Sequence, residues 1–262
     1  MGTLQGSWIW YDLMTPDPDG AKAFYEAVVG WSMTTGHGAG DSDYGFITAQ
    51  DGAMTGGMLR LSAEMQQHGA RSCWLGYIAV DDVDASVTSI EATGGKVLMA
   101  PRDVAMAGRV AMVSDPGGAA FYVMTPTPPP GGGESTAFSA LPNPGHCGWN
   151  ELMAMDGTRE RGFYTNLFGW ALPEPMDMGP MGTYHFIAHD GVTLGGVMDK
   201  MPDHPAAAWN HYFWVDSVTA AKATAEARGG SIAMGPHEVP GGQWVIMGTD
   251  PQGAAFALVG GQ

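Results

Sequence analysis

Cysteine is nearly absent: Cys73 and Cys147 are the only two in 262 residues. They form no C-x-x-C pair and no zinc spacing, which excludes a disulfide framework and a zinc module and leaves two reduced thiols as the expectation. Basic residues are scarce as well. Lys and Arg number 11 against 27 Asp and Glu, a formal charge of −16. So acidic a chain repels phosphate backbones and anionic lipid surfaces, so neither nucleic acid nor membrane is expected as a partner. Charge of either sign is low at 15%, with 45% hydrophobic residues, which excludes disorder and supplies packed cores. No stretch approaches the ~20 apolar residues of a membrane span. Met1 to Trp10 lacks the basic start and long apolar run of a signal peptide. The expectation is a soluble, cytoplasmic protein, monomeric or homodimeric.

What the chain does have is a second copy of itself. Trp10-Tyr11-Asp12-Leu13-Met14, Asp17, Phe24-Tyr25 and Gly30-Trp31 return at a constant offset as Trp149-Asn150-Glu151-Leu152-Met153, Asp156, Phe163-Tyr164 and Gly169-Trp170. Gly56-Gly57 returns as Gly195-Gly196. Trp74, Tyr77, Val80 and Asp81 return as Trp209, Tyr212, Val215 and Asp216. The turn Asp115-Pro116-x-Gly118-Ala119-Ala120-Phe121 returns as Asp250-Pro251-x-Gly253-Ala254-Ala255-Phe256. A repeat this long is a domain, not a solenoid unit. Between the copies runs a Pro- and Gly-rich stretch from Thr125 to Ser135, a surface linker by composition. The expected domains are residues 1–126 and 141–262, joined by a linker at 127–140.

Within each copy the elements follow one order. An alternating, aromatic strand at Ser7 to Thr15 precedes Asp17, which suits a helix cap. Phe24, Val28 and Val29 are spaced to bury one face of that helix, and Gly30 ends it. Strands at Tyr44 to Ala49 and Gly57 to Leu61 flank the turn Asp51-Gly52. The pattern then restarts: strand Trp74 to Val80, helix Val83 to Ala92, strands Val110 to Val113 and Ala119 to Met124. Four such modules make the chain.

The strand, the Asp-containing turn, the Phe-Tyr helix and its Gly-Trp end resemble the opening module of the vicinal oxygen chelate superfamily of glyoxalases, bleomycin-resistance proteins and extradiol dioxygenases. Val80-Asp81-Asp82-Val83-Asp84 and Asp115-Pro116-Gly117-Gly118 resemble its second-module signatures. The resemblance spans both copies. It implies an α+β fold of four βαβββ modules in two tandem glyoxalase-like domains, forming cup-shaped mixed sheets around a ligand cavity. It leaves the reaction open, because this fold hosts lyases, dioxygenases, isomerases and drug-sequestering proteins.

In metal-dependent members of that family, His, Gln or Glu ligands project from the first and last strands of the modules. Counting from the motifs, the corresponding slots here hold Trp10, Leu75, Met58 and Tyr122 in the first copy, and Trp149, Asn210, Val197 and Ala257 in the second. Trp, Leu, Met, Val and Ala do not bind divalent transition ions, and Asn alone is a weak ligand. No metal and no other cofactor is expected.

By strand alternation Trp10 shares a face with Asp12, Trp149 with Glu151, Leu75 with Tyr77, and Asn210 with Tyr212 and Trp214. An apolar pocket with one carboxylate and a phenol has the composition of a small-molecule site. Trp10, Tyr77, Trp149, Asn210, Tyr212 and Trp214 are therefore candidate ligand-binding residues. Glu151, Asp12 and His185 are candidate catalytic ones. The alternative is structural: an acid at that strand position, hydrogen-bonded to backbone or to a neighbouring Tyr. Tyr44 and Tyr184 read as core, His185 as compatible with a solvent-facing strand position, and His211 as pointing away from the cup. His37 and His68 in the first copy, and His189, His204 and His237 in the second, complete the asymmetry. The second copy, with Asn210, His185 and His237 where the first has Leu75, Gly45 and Arg102, is the better candidate for activity. The expected function is a lyase or isomerase acting on a small aromatic or hydrophobic molecule without the usual metal triad. The alternative is non-catalytic sequestration of such a molecule.

Overall fold

A computed structural model describes residues 5–36, 43–128, 133–202 and 206–262. His37, His204 and linker residues 129–132 lie outside them. The first copy runs β1 (Trp8–Thr15), α1 (Pro18–Val28), β2 (Ser32–Met33), β3 (Tyr44–Thr48), β4 (Met54–Arg60), a short α2 (Ala63–Gln67), β5 (Cys73–Ala79), α3 (Val83–Ala92), β6 (Lys96–Val104), β7 (Gly108–Ser114) and β8 (Ala120–Pro126). The second runs β9 (Cys147–Ala154), α4 (Gly157–Phe168), β10 (Met176–Asp177), a 3-10 turn (Gly179–Met181), β11 (Thr183–His189), β12 (Val192–Asp199), β13 (Ala208–Ser217), α5 (Val218–Ala227), β14 (Ser231–Glu238), β15 (Trp244–Thr249) and β16 (Ala255–Gly261).

Local chemistry sets the helix starts. Asp17 and Asp156, anticipated as caps, accept the backbone N–H groups of Gly20 and Arg159 at the open ends of α1 and α4. Gly169 closes α4 in the left-handed conformation. Strand β6 escaped the sequence reading. It is a sheet-edge strand whose residues are exposed or half-buried throughout, so burial imposed no apolar alternation on it.

The strands form two eight-stranded mixed sheets, ordered β2-β3-β4-β1-β5-β8-β7-β6 and β10-β11-β12-β9-β13-β16-β15-β14. The first strand of a module pairs in parallel with its last, as β1 does with β4 and β5 with β8, and the remaining pairs within a module are antiparallel. This is the βαβββ arrangement, four times over. Among the described residues neither cysteine forms a disulfide. No helix among the described residues is long and apolar enough to cross a membrane.

Packing divides the chain into two compact units. One contains Met1–Ile9, Gly76–Ser135 and Trp149–Trp209. The other contains Trp10–Leu75, Thr136–Gly148 and Asn210–Gln262. Each unit thus takes one module from each copy.

The repeated motifs explain themselves here. In the first unit Tyr164 of α4 donates its hydroxyl to Asp115 Oδ2 at 3.1 Å, while Trp209 Nε1 donates to the Tyr164 oxygen at 2.8 Å. Asp115 belongs to the Asp-Pro turn of the other copy, and its Oδ1 also accepts the N–H of Ala119. In the second unit Tyr25 of α1 donates to Asp250 Oδ2 at 3.0 Å and receives Trp74 Nε1 at 3.0 Å. Burial pushes the Asp115 carboxyl up to about 6 and raises Asp250, and it lifts both phenols well above their ordinary value. Aromatic packing surrounds each triad. Trp170 stacks on Tyr164 at 5.4 Å, and Phe24 meets Phe256 edge-on at 5.6 Å. Rings this buried each contribute on the order of 1.5–3 kcal/mol.

Candidate functional site

Strand β1 presents Trp10 and Asp12 on one face, and β3 brings Tyr44 against them. Asp12 is buried. Its Oδ1 accepts the Tyr44 hydroxyl at 2.7 Å and Trp10 Nε1 at 3.0 Å, and the same indole N–H reaches the Tyr44 oxygen at 2.8 Å. The second copy repeats the arrangement in the other unit. Tyr184 of β11 donates to Glu151 Oε2 at 3.1 Å, and Trp149 Nε1 donates to the Tyr184 oxygen at 2.7 Å. The order of donors follows from chemistry. An indole N–H only donates, so it occupies the phenol oxygen and leaves the phenol hydrogen to point at the carboxylate. Burial foremost, with the Glu151 charge beside it, lifts Tyr184 well above the ordinary phenol value, so it remains a neutral donor.

The paired glycines make this possible. Register places Gly57 beside Asp12 and Gly196 beside Glu151. A Cβ on Gly57 would stand 1.9 Å from the Tyr44 hydroxyl, and one on Gly196 would stand 2.1 Å from a Tyr184 ring carbon. Glycine there is what lets each phenol lie across the strand. Gly196→Ala is therefore expected to displace Tyr184 from Glu151 and to cost about 1–3 kcal/mol. Thermal unfolding with near-ultraviolet circular dichroism measures it. An unperturbed aromatic spectrum and unchanged stability would mean that the ring lies elsewhere.

The same register corrects a count. Met58 and Val197 pair with Leu13 and Leu152, so by alternation they point to the face opposite the carboxylates. The expectation that they stand in a ligand slot fails. Parallel pairing sets Gly57 and Gly196 on the carboxylate face, one position earlier than counting from the motif gives.

The structure brings together Trp10 with Asp12 and Trp149 with Glu151. Tyr44 and Tyr184, read from sequence as core, prove to be the hydrogen-bond donors of these groups. Their equivalence across the copies, opposite the Gly-Gly pairs, was the available signal. Phe186 extends the aromatic surface, 5.5 Å from Tyr184 and 6.1 Å from Trp149. Tyr77 stacks flat on Tyr122 at 4.2 Å. Asn210, half-buried on β13, keeps its Nδ2 buried and without a hydrogen-bond partner. Tyr212 donates to Met247 Sδ at 3.4 Å. Trp214 donates to the Ser139 carbonyl at 2.9 Å, tying down the end of the linker, and lines a cavity of about 280 Å³ with Pro142, Asn143 and Gln243.

His185 is not brought to Glu151. It alternates with Tyr184 and Phe186 on β11, and its proton affinity is lowered by partial burial and by the charge of Arg161. His237 is exposed on β14. His211 is buried edge-on to Tyr11 at 4.9 Å, and burial drops it to about 3, a neutral core ring. Among the described residues no group of three or more His, Cys, Asp or Glu side chains is placed to hold a metal ion.

The Glyoxalase/Bleomycin resistance protein/Dioxygenase superfamily model matches this chain twice, over residues 9–123 and 144–258. The anthracycline biosynthesis protein DauV of Streptomyces sp. strain C5 is 32% identical over 272 residues, covering 97% of this chain and 93% of that protein. Among solved structures, the Mn(II)-bound glyoxalase from Novosphingobium aromaticivorans aligns with a TM-score of 0.64 at 18% identity, over 98% of this chain and 82% of that one. The 2,3-dioxygenase LapB from Pseudomonas sp. KL28 aligns with a TM-score of 0.65 at 13% identity, over 99% and 94%. At those identities the structures speak for the fold alone. With two tandem matches and the module order on which they rest, the chain belongs to the Glyoxalase/Bleomycin resistance protein/Dioxygenase superfamily.

Proposed function

We propose that this protein binds a small aromatic or planar hydrophobic molecule at its Trp–Tyr–carboxylate faces and acts on it as a lyase or isomerase by proton transfer, with the second copy as the working site. The observation that carries the reading is the chain Trp149 N–H to Tyr184 O–H to Glu151 beside Phe186. It fixes one carboxylate oxygen in an aromatic setting, where a base or a hydrogen-bond acceptor for a ligand hydroxyl is held in place. The DauV relative is named for anthracycline biosynthesis, and anthracyclines are planar polycyclic aromatics; that chemistry suits these faces.

Family members such as the Novosphingobium glyoxalase hold Mn(II). The donors here do not fit such an ion. Trp10, Trp149, Leu75 and Ala257 offer it no ligand, Asn210 is a weak one, Gly57 and Gly196 have no side chain, and the one carboxylate on each face, Asp12 or Glu151, already accepts a Tyr hydroxyl. Protein purified without added metal is expected to carry no stoichiometric divalent ion and to keep its ligand-induced stabilisation after EDTA. Elemental analysis and thermal shift decide this; a stoichiometric ion lost to EDTA together with that stabilisation would overturn the assignment.

A panel of hydroxylated polycyclic aromatics, screened by thermal shift and tryptophan fluorescence, tests binding. A true ligand at a hundred times its dissociation constant stabilises by about 2.7 kcal/mol. Absence of any shift across planar aromatics would remove the reading. Sequestration is the second reading, favoured by the Tyr184 hydrogen bond that already occupies Glu151. Quenching and stabilisation with no product, and no exchange of ligand C–H hydrogen for deuterium, would select it over catalysis.

A further inference from the structure

The contact between each Asp-Pro turn and the helix that packs on it is built differently in the two units. In the first, Glu160 of α4 is fully buried. Its Oε2 accepts the N–H of Asp156 at 2.7 Å and its Oε1 accepts Arg159 Nε at 2.8 Å. The turn residue facing it is Gly117, where a Cβ would stand 2.8 Å from Glu160 Oε1 and 3.2 Å from Met155 Cβ. In the second unit the sizes are reversed. The position equivalent to Glu160 is Ala21, fully buried, and the position equivalent to Gly117 is Gln252. Gln252 Nε2 reaches across to Asp17 Oδ2 at 3.3 Å, over Gly20, whose added Cβ would stand 2.6 Å from that nitrogen. One polar side chain covers each helix start. It comes from the helix in one unit and from the turn in the other, and each time the opposite residue is small.

We infer that Glu160 with Gly117, and Gln252 with the small pair Gly20–Ala21, form a pairing code that commits the second module of each copy to the first module of the other. The alternative pairs are those a copy would make with itself. Ala21 against Gly117 leaves the helix start uncovered and a hollow behind it, and Glu160 against Gln252 places two bulky side chains in the space of one. Voids and overpacking both destabilise a close-packed contact, so the mismatch acts against self-pairing as the match acts for cross-pairing. The partner this surface fits is therefore the complementary module of the other copy. A second chain offering its like module is rejected.

Double-mutant cycles in the full-length chain test the code, because they cancel the backbone effect of replacing glycine and any local helix effect. In an Arg159→Gly background, which gives α4 the small residue that α1 has at Gly20 under Gln252, Gly117→Gln and Glu160→Ala are each expected to lower the unfolding temperature by at least about 5 °C. The double variant is expected to regain at least half of the summed loss. Ala21→Glu should be rescued in the same way by Gln252→Gly. The crossed pair Gln252→Gly with Glu160→Ala, one change in each unit, should simply add. If a single variant does not fold, recovery of a folded double variant is itself the rescue. Additive losses within both matched pairs, or rescue by the crossed pair, would overturn the inference.

Discussion

Glu151→Gln should lower turnover by about 10²- to 10⁴-fold, the usual contribution of a positioned acid–base group, while leaving the unfolding temperature within a few degrees of the parent. The substitution is nearly isosteric, and the Gln carbonyl still accepts the Tyr184 hydroxyl that Glu151 accepts at 3.1 Å. What goes is the negative charge and the ability to hold a proton. Asp12→Asn makes the equivalent change in the first copy and is expected to cost far less. Asp12 Oδ1 already receives both the Tyr44 hydroxyl and the Trp10 N–H, and its side chain is one methylene shorter. If the protein only binds its ligand, the same comparison is read in affinity. Should Asp12→Asn abolish function and Glu151→Gln spare it, the first copy is the working site.

Much of the architecture was legible because duplication doubles every local signal. Asp17 and Asp156 announce helix starts, and Asp-Pro-x-Gly announces a turn. What those signals do not carry is long-range. Phe24-Tyr25 and Phe163-Tyr164 mark helices, yet the Tyr hydroxyls bond to Asp250 and Asp115, more than forty residues away in either case. Trp74 and Trp209 were visible as a repeat but not as the donors that complete these triads. The site was half legible for the same reason. Alternation placed Trp10 beside Asp12 and Trp149 beside Glu151, because i and i+2 on a strand share a face. Tyr44 and Tyr184 come from the strand beyond the neighbouring one, and only the three-dimensional packing shows them reaching across Gly57 and Gly196. Met58 and Val197 were misplaced by the strictness of the same rule, since a shift of one residue turns a side chain to the other face.

Asp115 is expected to give the protein a stability that falls as pH rises from about 4 to about 6. The folded-state carboxyl sits at about 6, chiefly through burial, against an unfolded value near 3.9. Between these values the native chain binds more protons than the unfolded one, so raising the pH favours unfolding. Below about 4 both states are protonated and the term vanishes. Above about 6 both are ionised and the loss is complete. A difference of about two pH units corresponds to roughly 3 kcal/mol. Asp250 is raised in the same direction, so the wild-type slope contains both carboxyls. Asp115→Asn isolates one of them. The amide oxygen can still accept the Ala119 N–H, but an amide nitrogen facing the Tyr164 hydroxyl no longer accepts its proton, so the variant is less stable than the parent at pH 4. The variant has no carboxylate to ionise at this position, so the gap should narrow by roughly 3 kcal/mol on going to pH 7. Urea unfolding of parent and variant across that range measures the gap at each pH. A constant gap would mean that Asp115 is ionised in the fold throughout, and that the Trp209–Tyr164–Asp115 chain holds a carboxylate and not a carboxylic acid.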